Sequence, residues 1–235
     1  MDFQKLSSPS LRELFVEQLE HMILSGKLKV GEKLPPERQL AEMMQVSRAV
    51  VNGGLADLEK NGFIVIKPRS GCYVADYRRK GNLNTLTAIM KYNGGRIRND
   101  EIRSIFEVRL ALDSVVTSLA IRRMSDEEIE QLREIVEQIR TASTQAEAVQ
   151  AAFDFQHELA LYSGNTLIPL IIQSFQAPIF TMWNRFCDLY GIDLLYERNY
   201  KMWTYIRNRD LAGASAALEA SVNDCIFGNH QIYYD

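Results

Sequence analysis

The N-terminal part of the chain shows a helical hydrophobic period followed by two short β-rich runs. Apolar residues recur every three or four positions from Ser10 to Leu24, which predicts a helix with one buried face. Pro35-Pro36 opens a second predicted helix, and a third is predicted from its N-cap Ser47 to Lys60. The runs FIVI and CYVA then flank KPRSG, a sequence that favours a turn. Three helices and a two-stranded wing predict a winged helix-turn-helix over residues 1–75.

Nearly all of the chain beyond residue 82 has a helical pattern. Residues 76–82 are polar and are predicted to form a linker. The helices predicted beyond it cover residues 83–92, 98–124, 126–140, 145–162, 166–190, 192–208 and 210–227. The sequence from Ser125 to Glu128 has the capping-box pattern at the start of one of them. We therefore predict a mainly α protein, in which an antiparallel bundle of six or seven helices over residues 83–235 follows the winged helix.

Charge is unevenly distributed between the two predicted domains. The chain of 235 residues has 27 Lys/Arg and 30 Asp/Glu, and this net charge of −3 argues against a general polyanion binder. Residues 1–80 alone carry 13 basic and 10 acidic residues, whereas residues 81–235 carry 14 and 20. Much of the basic excess follows Ser47. It is the pattern expected for phosphate contact, although on charge alone a solvated surface is an equal alternative.

Four basic side chains in this region are candidates for DNA contact. Arg48 directly follows the predicted cap of the third helix, where a guanidinium can bond bidentately to guanine O6 and N7. Arg38 on the second helix could hold a phosphate, and Lys67 and Arg69 at the wing tip could do the same. Each of them taken alone is more simply a solvated side chain. Their joint placement on a helix-turn-helix favours DNA binding.

The same stretch resembles the N-terminal domain of the GntR family of bacterial transcription regulators. The matching strings are ILSGKLKVGEKLPPERQLAE, VSRAVV, the pattern LxxLxxxGF and KPRSGCYV, and they cover residues 10–75. The resemblance implies that the second helix and the start of the third contact operator DNA, with the wing shaped by its Arg and Gly. The residues predicted to contact DNA are Arg38, Ser47, Arg48, Ala49, Asn52, Lys67, Arg69 and Gly71.

The third helix departs from the family pattern at three positions. Where the family usually reads VREAL, this chain reads VNGGL from Val51 to Leu55. Asn52 therefore replaces a DNA-contacting arginine, which predicts either weaker binding or an altered operator preference, because asparagine can bond adenine bidentately. Gly53 and Gly54 each cost a helix interior about 1 kcal/mol relative to alanine. We therefore predict a recognition helix that is less stable than those of its relatives until DNA orders it.

The second domain resembles the ligand-sensing C-terminal domain of the FadR subfamily within that family. The motifs are LNTL at 83–86, EVRLALD around Arg109, ALYSGN at 160–165 and the closing RDLAGASAAL. Most members of the subfamily hold a metal with one aspartate and three histidines. The corresponding positions here are Ala152, Gln156, Asn199 and Ser221. None of them is a metal ligand of that type, so we predict no bound metal and no other cofactor.

The histidines of the chain do not supply a replacement metal site. They are His21, His157 and His230, and His21 lies in the predicted DNA-binding half. Asp154 and His157 form an i, i+3 pair that could in principle bind a metal. Two ligands do not make a transition-metal site, and a hydrogen-bonded surface pair is the simpler interpretation.

The resemblance implies that the second domain binds a small-molecule effector. The fatty-acid regulator that names the subfamily also lacks the metal set, and it binds a long-chain acyl-coenzyme A. Here Gln156, Asn199 and Ser221 would offer neutral hydrogen-bonding groups, and Arg109 a fixed charge for a carboxylate or phosphate. Arg109 could equally pair with Asp113 at i+4 and be structural. The predicted effector is a fatty acyl-CoA or another organic acid.

An aromatic stripe in the predicted helix 166–190 has two interpretations. Its members are Phe175, Phe180, Met182, Trp183 and Phe186. A stripe of this kind at helical spacing favours core or dimer interface over an acyl channel.

These features together predict a bacterial DNA-binding transcriptional regulator, repressor or activator, and not an enzyme. A homodimer is expected because two half-sites need two recognition helices related by a two-fold axis. The sequence shows no leader and no membrane-spanning apolar run, and Cys72, Cys187 and Cys225 fit buried reduced thiols, which predicts a cytoplasmic protein. The alternative interpretation, which we call the rival, is a helical enzyme or small-molecule binding protein with a vestigial winged helix. No nucleophile with a positioned base and no phosphate-cradling loop supports that rival.

Overall fold

The first compact unit of the chain begins with three helices and a two-stranded sheet. The computed structural model describes residues 9–92 and 99–233, and its contacts divide the chain into the units Met1–Gly94 and Gly95–Asp235. The first five elements of this unit are α1 Leu11–Leu24, α2 Glu37–Met44, α3 Arg48–Lys60, β1 Ile64–Lys67 and β2 Gly71–Val74. The strands pair antiparallel, with Ile64 opposite Val74 and Lys67 opposite Gly71. The predicted winged helix-turn-helix is confirmed.

The glycine pair in α3 allows α1 to approach it closely. A Cβ at Gly54 would lie 2.8 Å from Cε1 of Phe15 and closer still to Cδ1, and a Cβ at Gly53 would lie 3.1 Å from Cζ of Arg12. Arg12 also makes two hydrogen bonds of 2.6 Å to Asp57 of α3. α3 is continuous through both glycines, because close packing offsets their low helix propensity. The lower stability expected for this helix stays a prediction.

The segment after the wing differs from the linker that the sequence predicted. It forms α4 Tyr77–Lys80 and α5 Leu83–Tyr92. The Asn82 side chain donates a 2.9 Å hydrogen bond to the Lys60 carbonyl, and the Thr85 hydroxyl donates to the Asn61 carbonyl. Ala88 belongs to the core of the first unit. An amphipathic pattern predicts a helix but not the core against which it packs, so the sequence analysis placed α5 in the second domain.

The second unit contains seven helices within the residues that the structure describes. They are α6 Asn99–Arg123, α7 Asp126–Thr141, α8 Gln145–Tyr162, α9 Ile168–Ser174, α10 Gln176–Tyr190, α11 Ile192–Arg207 and α12 Leu211–Phe227. The capping box of Ser125 and Glu128 starts α7 as predicted. The indole of Trp203 on α11 is buried and donates a 2.9 Å hydrogen bond to the Ile129 carbonyl of α7. The predicted helical bundle is confirmed.

One predicted helix of this bundle is two helices. The pattern predicts a single helix over 166–190, but α9 ends at Ser174 and α10 begins at Gln176. A continuous helix would need a hydrogen bond from residue 178 to the Ser174 carbonyl. Pro178 has no N–H to donate, and its ring would collide with that carbonyl, so the chain starts a new helix just before it.

The three cysteines are buried and carry no disulfide, in agreement with the sequence analysis. Burial raises the pKa of Cys72 and Cys225, and it raises that of Cys187 to about 11. All three thiols are therefore protonated at neutral pH.

Across residues 9–92 and 99–233, no helix combines the length and the apolar character needed to cross a bilayer.

Candidate nucleic-acid interface and ligand cavity

The N-terminal end of α3 presents three predicted DNA-contacting residues on one exposed face. Ser47 caps the helix, because its Oγ accepts a 3.3 Å hydrogen bond from the Val50 N–H. Arg48, Ala49 and Asn52 are exposed, and the helical period places them side by side. The N-terminal end of a recognition helix is the part that reaches base edges in the major groove. This face can therefore contact both phosphates and bases.

Arg38 lies on the neighbouring helix α2. Its Nε donates a 2.9 Å hydrogen bond to the carboxylate of Glu42, and both side chains are mostly exposed. An exposed pair of this kind contributes little stability, so a phosphate can take the place of Glu42 at low cost. The geometry is compatible with the predicted backbone contact of Arg38.

The turn of the wing depends on two residues with positive φ. Arg69 has φ of 64° and Gly71 has φ of 114°, a region that favours glycine. A Cβ at Gly71 would lie 3.0 Å from Cε of Lys33. Gly71 therefore allows the turn and also makes room for a lysine.

Lys33 is a basic residue of the wing that the sequence analysis missed. It pairs with Tyr73 in an isolated antiparallel bridge. The ammonium groups of Lys67 and Lys33 lie 4.6 Å and 5.7 Å from the centroid of the Tyr73 ring. The hydrogen bond to Ser70 and these two charges lower the pKa of the Tyr73 hydroxyl. The signal in the sequence was the charged Lys33 followed by the apolar Leu34, an alternation that is typical of a strand.

A cavity of about 450 Å³ lies inside the second unit. Its walls come from α6, α8, α10, α11 and α12, and the four residues predicted to bind an effector all line it: Arg109, Gln156, Asn199 and Ser221. Much of the remaining wall is apolar or aromatic, including Phe106, Phe155, Met182, Trp183, Phe186 and Leu195. The aromatic stripe of the sequence analysis thus contributes three side chains to the cavity, whereas Phe175 is buried core.

Arg109 is a buried cation at the wall of this cavity, with 8% of its surface exposed. Its guanidinium donates to the Gln156 side chain and, at 3.2 Å, to Asp113, and it lies 5.1 Å from the centroid of a Trp183 ring. Burial raises the pKa of the Asp113 carboxyl, against the opposing effect of Arg109. Arg109 therefore pairs with Asp113 and also lines the cavity, and its contact with an effector stays a prediction.

Arg198 is a second guanidinium in the cavity wall, and the sequence analysis did not single it out. It donates to Ser221 Oγ at 3.1 Å, to Cys225 Sγ at 3.3 Å and to Asp224 Oδ2 at 2.5 Å. Its guanidinium also lies 4.8 Å from the Phe186 ring centroid. The available signal was helical spacing, because Arg198 precedes the predicted Asn199 on the face that also carries residues 195 and 202.

The residues after α12 close one side of the cavity. We call residues 228–233 the C-terminal strap. Ile232 of the strap is 1% exposed and lines the cavity. Asp224 accepts hydrogen bonds from the Asn229 N–H at 3.0 Å and pairs with the His230 ring at 2.6 Å, while Tyr190 donates to the Gln231 carbonyl at 2.7 Å. Asp224 therefore links the strap to Arg198.

Burial alone would raise the pKa of Asp224. The hydrogen bonds from His230 and the Asn229 N–H, together with the charge of Arg198, outweigh burial and hold this pKa below its ordinary value. Asp224 is therefore ionised at neutral pH, and it keeps both the strap and Arg198 in place.

The cavity does not offer the donor set of the metal-binding relatives. Gln156, Asn199 and Ser221 carry neutral amide and hydroxyl groups, and buried Ala152 has no donor atom. The residues that the structure describes contain no cluster of three or more His, Cys, Asp or Glu that could hold a metal. Asp154 and His157, the other pair considered as metal ligands, have different contacts. Asp154 accepts a hydrogen bond from Gln150, and His157 stacks on Phe153. The absence of a metal stays a prediction.

Comparison with known proteins agrees with this geometry. Residues 11–74 match the family described as bacterial regulatory proteins, gntR family, and residues 104–224 match the FCD domain. The uncharacterized HTH-type transcriptional regulator YcbG of Bacillus subtilis is 29% identical over 165 residues, which are 70% of this chain and 67% of that protein. The fatty acid metabolism regulator protein of Shewanella pealeana is 30% identical over 156 residues, 66% of this chain and 63% of that protein.

A solved structure agrees with the fold over nearly the whole chain. It is described by the words "Lar controls the expression of the Listeria monocytogenes agr system and mediates virulence", and it covers 95% of this chain and 98% of its own with a TM-score of 0.60. At 15% identity this likeness shows the fold alone. The winged helix with its exposed recognition face, the helical domain with its cavity and the two family matches give one conclusion. The chain belongs to the gntR family of bacterial regulatory proteins and combines the family's DNA-binding domain with an FCD domain.

Proposed function

We propose that this chain is a cytoplasmic, homodimeric regulator of the FadR subfamily that binds a small organic anion without a metal. The chain is a DNA-binding transcriptional regulator whose operator affinity responds to a small-molecule effector. The proposal adds the DNA-contacting residues, the dimer and the chemical class of the effector. No catalytic step is part of it. The observation that carries it is the convergence of Arg109 and Arg198 with three neutral polar groups on one largely apolar cavity.

The DNA contacts that we propose are divided between bases and phosphates. Arg48, Ala49 and Asn52 face the bases, because they share the exposed N-terminal face of α3. Ser47 and Arg38 contact the backbone next to them. At the wing, Lys67, Arg69 and Gly71 contact the backbone, together with Lys33, whose ammonium lies near the Tyr73 ring as that of Lys67 does. These contacts are proposed from exposure, charge and position.

The dimer follows from the geometry of DNA. A single winged helix covers one half-site, and two half-sites related by a two-fold axis need two copies of the chain. In this proposal the helical second unit supplies the contact between the copies, so that an effector bound there can alter the spacing of the two recognition helices.

The effector that we propose is an organic acid. A carboxylate matches a guanidinium bidentately, and the apolar walls match a hydrocarbon or aromatic body. A volume of about 450 Å³ lies within the usual range for small-molecule sites. An acyl-CoA would need to place its nucleotide outside the cavity. An acyl chain stays among the ligands to test, because a relative is named a fatty acid metabolism regulator.

The DNA-binding part is tested by selecting sequences from a random duplex library with the full-length chain. Wild type is expected to enrich one inverted repeat, and affinity for that repeat is expected to fall steeply as the salt concentration rises. Arg48→Ala should lower affinity for it about tenfold or more, since a bidentate base contact is worth about 1–3 kcal/mol. Arg133→Ala, an exposed arginine of the second unit, is the control. Enrichment of no sequence would favour the rival, a small-molecule binding protein with a vestigial winged helix.

The effector part is tested by calorimetry of a series of carboxylic acids, with the matching amides as neutral analogues. We expect binding of an acid and at least tenfold weaker binding of its amide. Arg198→Gln should remove most of this preference. Arg207→Gln is the matched control, because Arg207 lies on the same helix and does not line the cavity. Equal binding of acid and amide would contradict an anionic effector.

A further inference from the structure

Asn52 lies on the exposed recognition face, and its amide contacts α2. It lies one helical turn after Arg48, where a side chain of the third helix can reach a base edge. The side-chain nitrogen lies 2.8 Å from Glu37 Oε2 and 3.3 Å from the Arg48 carbonyl oxygen, and both of these atoms are acceptors. The hydrogen-bond network therefore assigns the NH₂ group to this side, where both of its protons are used.

This arrangement changes what the side chain can offer to DNA. Within the described residues, both hydrogen bonds found for the Asn52 amide in this orientation are donated by its nitrogen, so its carbonyl oxygen is the group left to face a base. An unrestrained asparagine recognises adenine with two hydrogen bonds, one accepted from N6 and one donated to N7. With its NH₂ group held by Glu37, Asn52 can only accept.

The major groove presents two bases that suit an acceptor. Cytosine and adenine carry exocyclic amino groups there, at N4 and N6, whereas guanine and thymine present oxygen acceptors that would repel the amide oxygen. Glu37 is exposed at the start of α2, and its carboxylate adds a second acceptor next to the first. The surface formed by Glu37 and Asn52 therefore complements an amino group.

We propose that Glu37 positions Asn52 as an acceptor, so that the operator carries cytosine or adenine, and not guanine or thymine, opposite residue 52. This inference rests on the proposed function, since it assumes that α3 reads base edges. Glu37 acts as a positioning residue: it restricts Asn52 to one half of its usual hydrogen-bonding pattern and removes the intrinsic preference of asparagine for adenine over cytosine.

The test compares base preferences of full-length variants in a selection from a random duplex library. The operator position opposite residue 52 is the one whose preference changes in Asn52→Ala. At this position wild type should accept cytosine and adenine to a similar degree. Glu37→Ala releases the amide, so adenine should become favoured over cytosine by about tenfold. Glu37→Gln keeps an acceptor at the same place and should retain the wild-type preference. Glu17→Ala removes an exposed carboxylate from α1 and is the matched control.

The outcomes separate this inference from the proposed function. If Glu37→Ala lowers affinity for all sequences equally and leaves the preferences unchanged, Glu37 is only structural and the inference is wrong. A wild-type preference for guanine or thymine at this position, or preferences unchanged in Asn52→Ala, would also overturn it. In these three cases the protein still selects an operator, and the proposed DNA-binding function stands. If wild type selects no sequence, the proposed function itself fails.

Discussion

Single residues in α3 show where two physical effects oppose each other. Helix propensity favours alanine over glycine by about 1 kcal/mol at an exposed position in the middle of a helix. At Gly54 the ring of Phe15 occupies the space that a Cβ would need, whereas at Gly53 the neighbour is the flexible end of Arg12. Overpacking a core costs about 1–3 kcal/mol. The cost of overpacking therefore determines how an alanine at position 54 changes stability, and helix propensity determines it at position 53.

The two glycines are therefore expected to respond oppositely to the same substitution. Gly54→Ala should lower the free energy of unfolding by about 1–3 kcal/mol, because the methyl group displaces α1 from α3. Gly53→Ala should leave it unchanged or raise it by up to about 1 kcal/mol. Urea denaturation of the full chain, followed by circular dichroism, measures both. A more stable Gly54→Ala protein would show that α1 and α3 are not packed as described here.

At the scale of elements, the sequence predicted most helices because their periods and caps are local. Ser10, Ser47 and Ser125 each cap a helix where the pattern placed one. The break before α10 was not predicted, although Pro178 is a local signal for it. The allocation of α5 and the bridge at Lys33 depend on contacts with distant parts of the chain, which no local pattern contains. Arg198 was missed because its role depends on five helices that meet around one cavity.

The C-terminal strap is the element with the clearest dependence on pH. The folded chain holds the pKa of Asp224 below its ordinary value, so its ionised form stabilises the fold at neutral pH. That contribution is lost as the pH falls through the lowered pKa, below about pH 4. Asp224→Asn should therefore lower the free energy of unfolding at pH 7 by about 1–2 kcal/mol, and the difference from wild type should shrink as the pH falls below about 4.

Chemical denaturation at several pH values checks this prediction. Glu219→Gln provides the control, because Glu219 is an exposed carboxylate on the same helix. A difference between wild type and Asp224→Asn that is constant from pH 7 to about pH 3 would mean that the loss does not depend on ionisation of Asp224.

At the scale of the whole molecule, the two units have different charges and different candidate ligands. The basic excess belongs to the winged helix, and the acidic excess belongs to the remainder of the chain. Regulation requires that effector binding in one unit changes the operator affinity of the other, and such coupling is reciprocal. An effector that weakens operator binding by a given factor must itself bind more weakly, by the same factor, to the protein saturated with operator.

This reciprocity is measurable once the selection has given an operator. Titrations of effector into protein alone and into the protein–operator complex should differ by about 5–150-fold in affinity. Titrations of operator with and without saturating effector should give the same factor. Arg207→Gln is expected to preserve the factor, whereas Arg198→Gln should weaken binding of the acid in both titrations. Equal effector affinity in both titrations would mean that the cavity does not regulate the winged helix.

The close contact between Phe15 and Gly54 limits how this protein can be redesigned. A recognition helix transplanted from a relative with the family pattern VREAL would bring alanine to position 54 and collide with Phe15. α3 therefore cannot be exchanged alone without disturbing its packing against α1. A functional chimera would have to exchange α1 and α3 together, or replace Phe15 by a smaller residue in the same step.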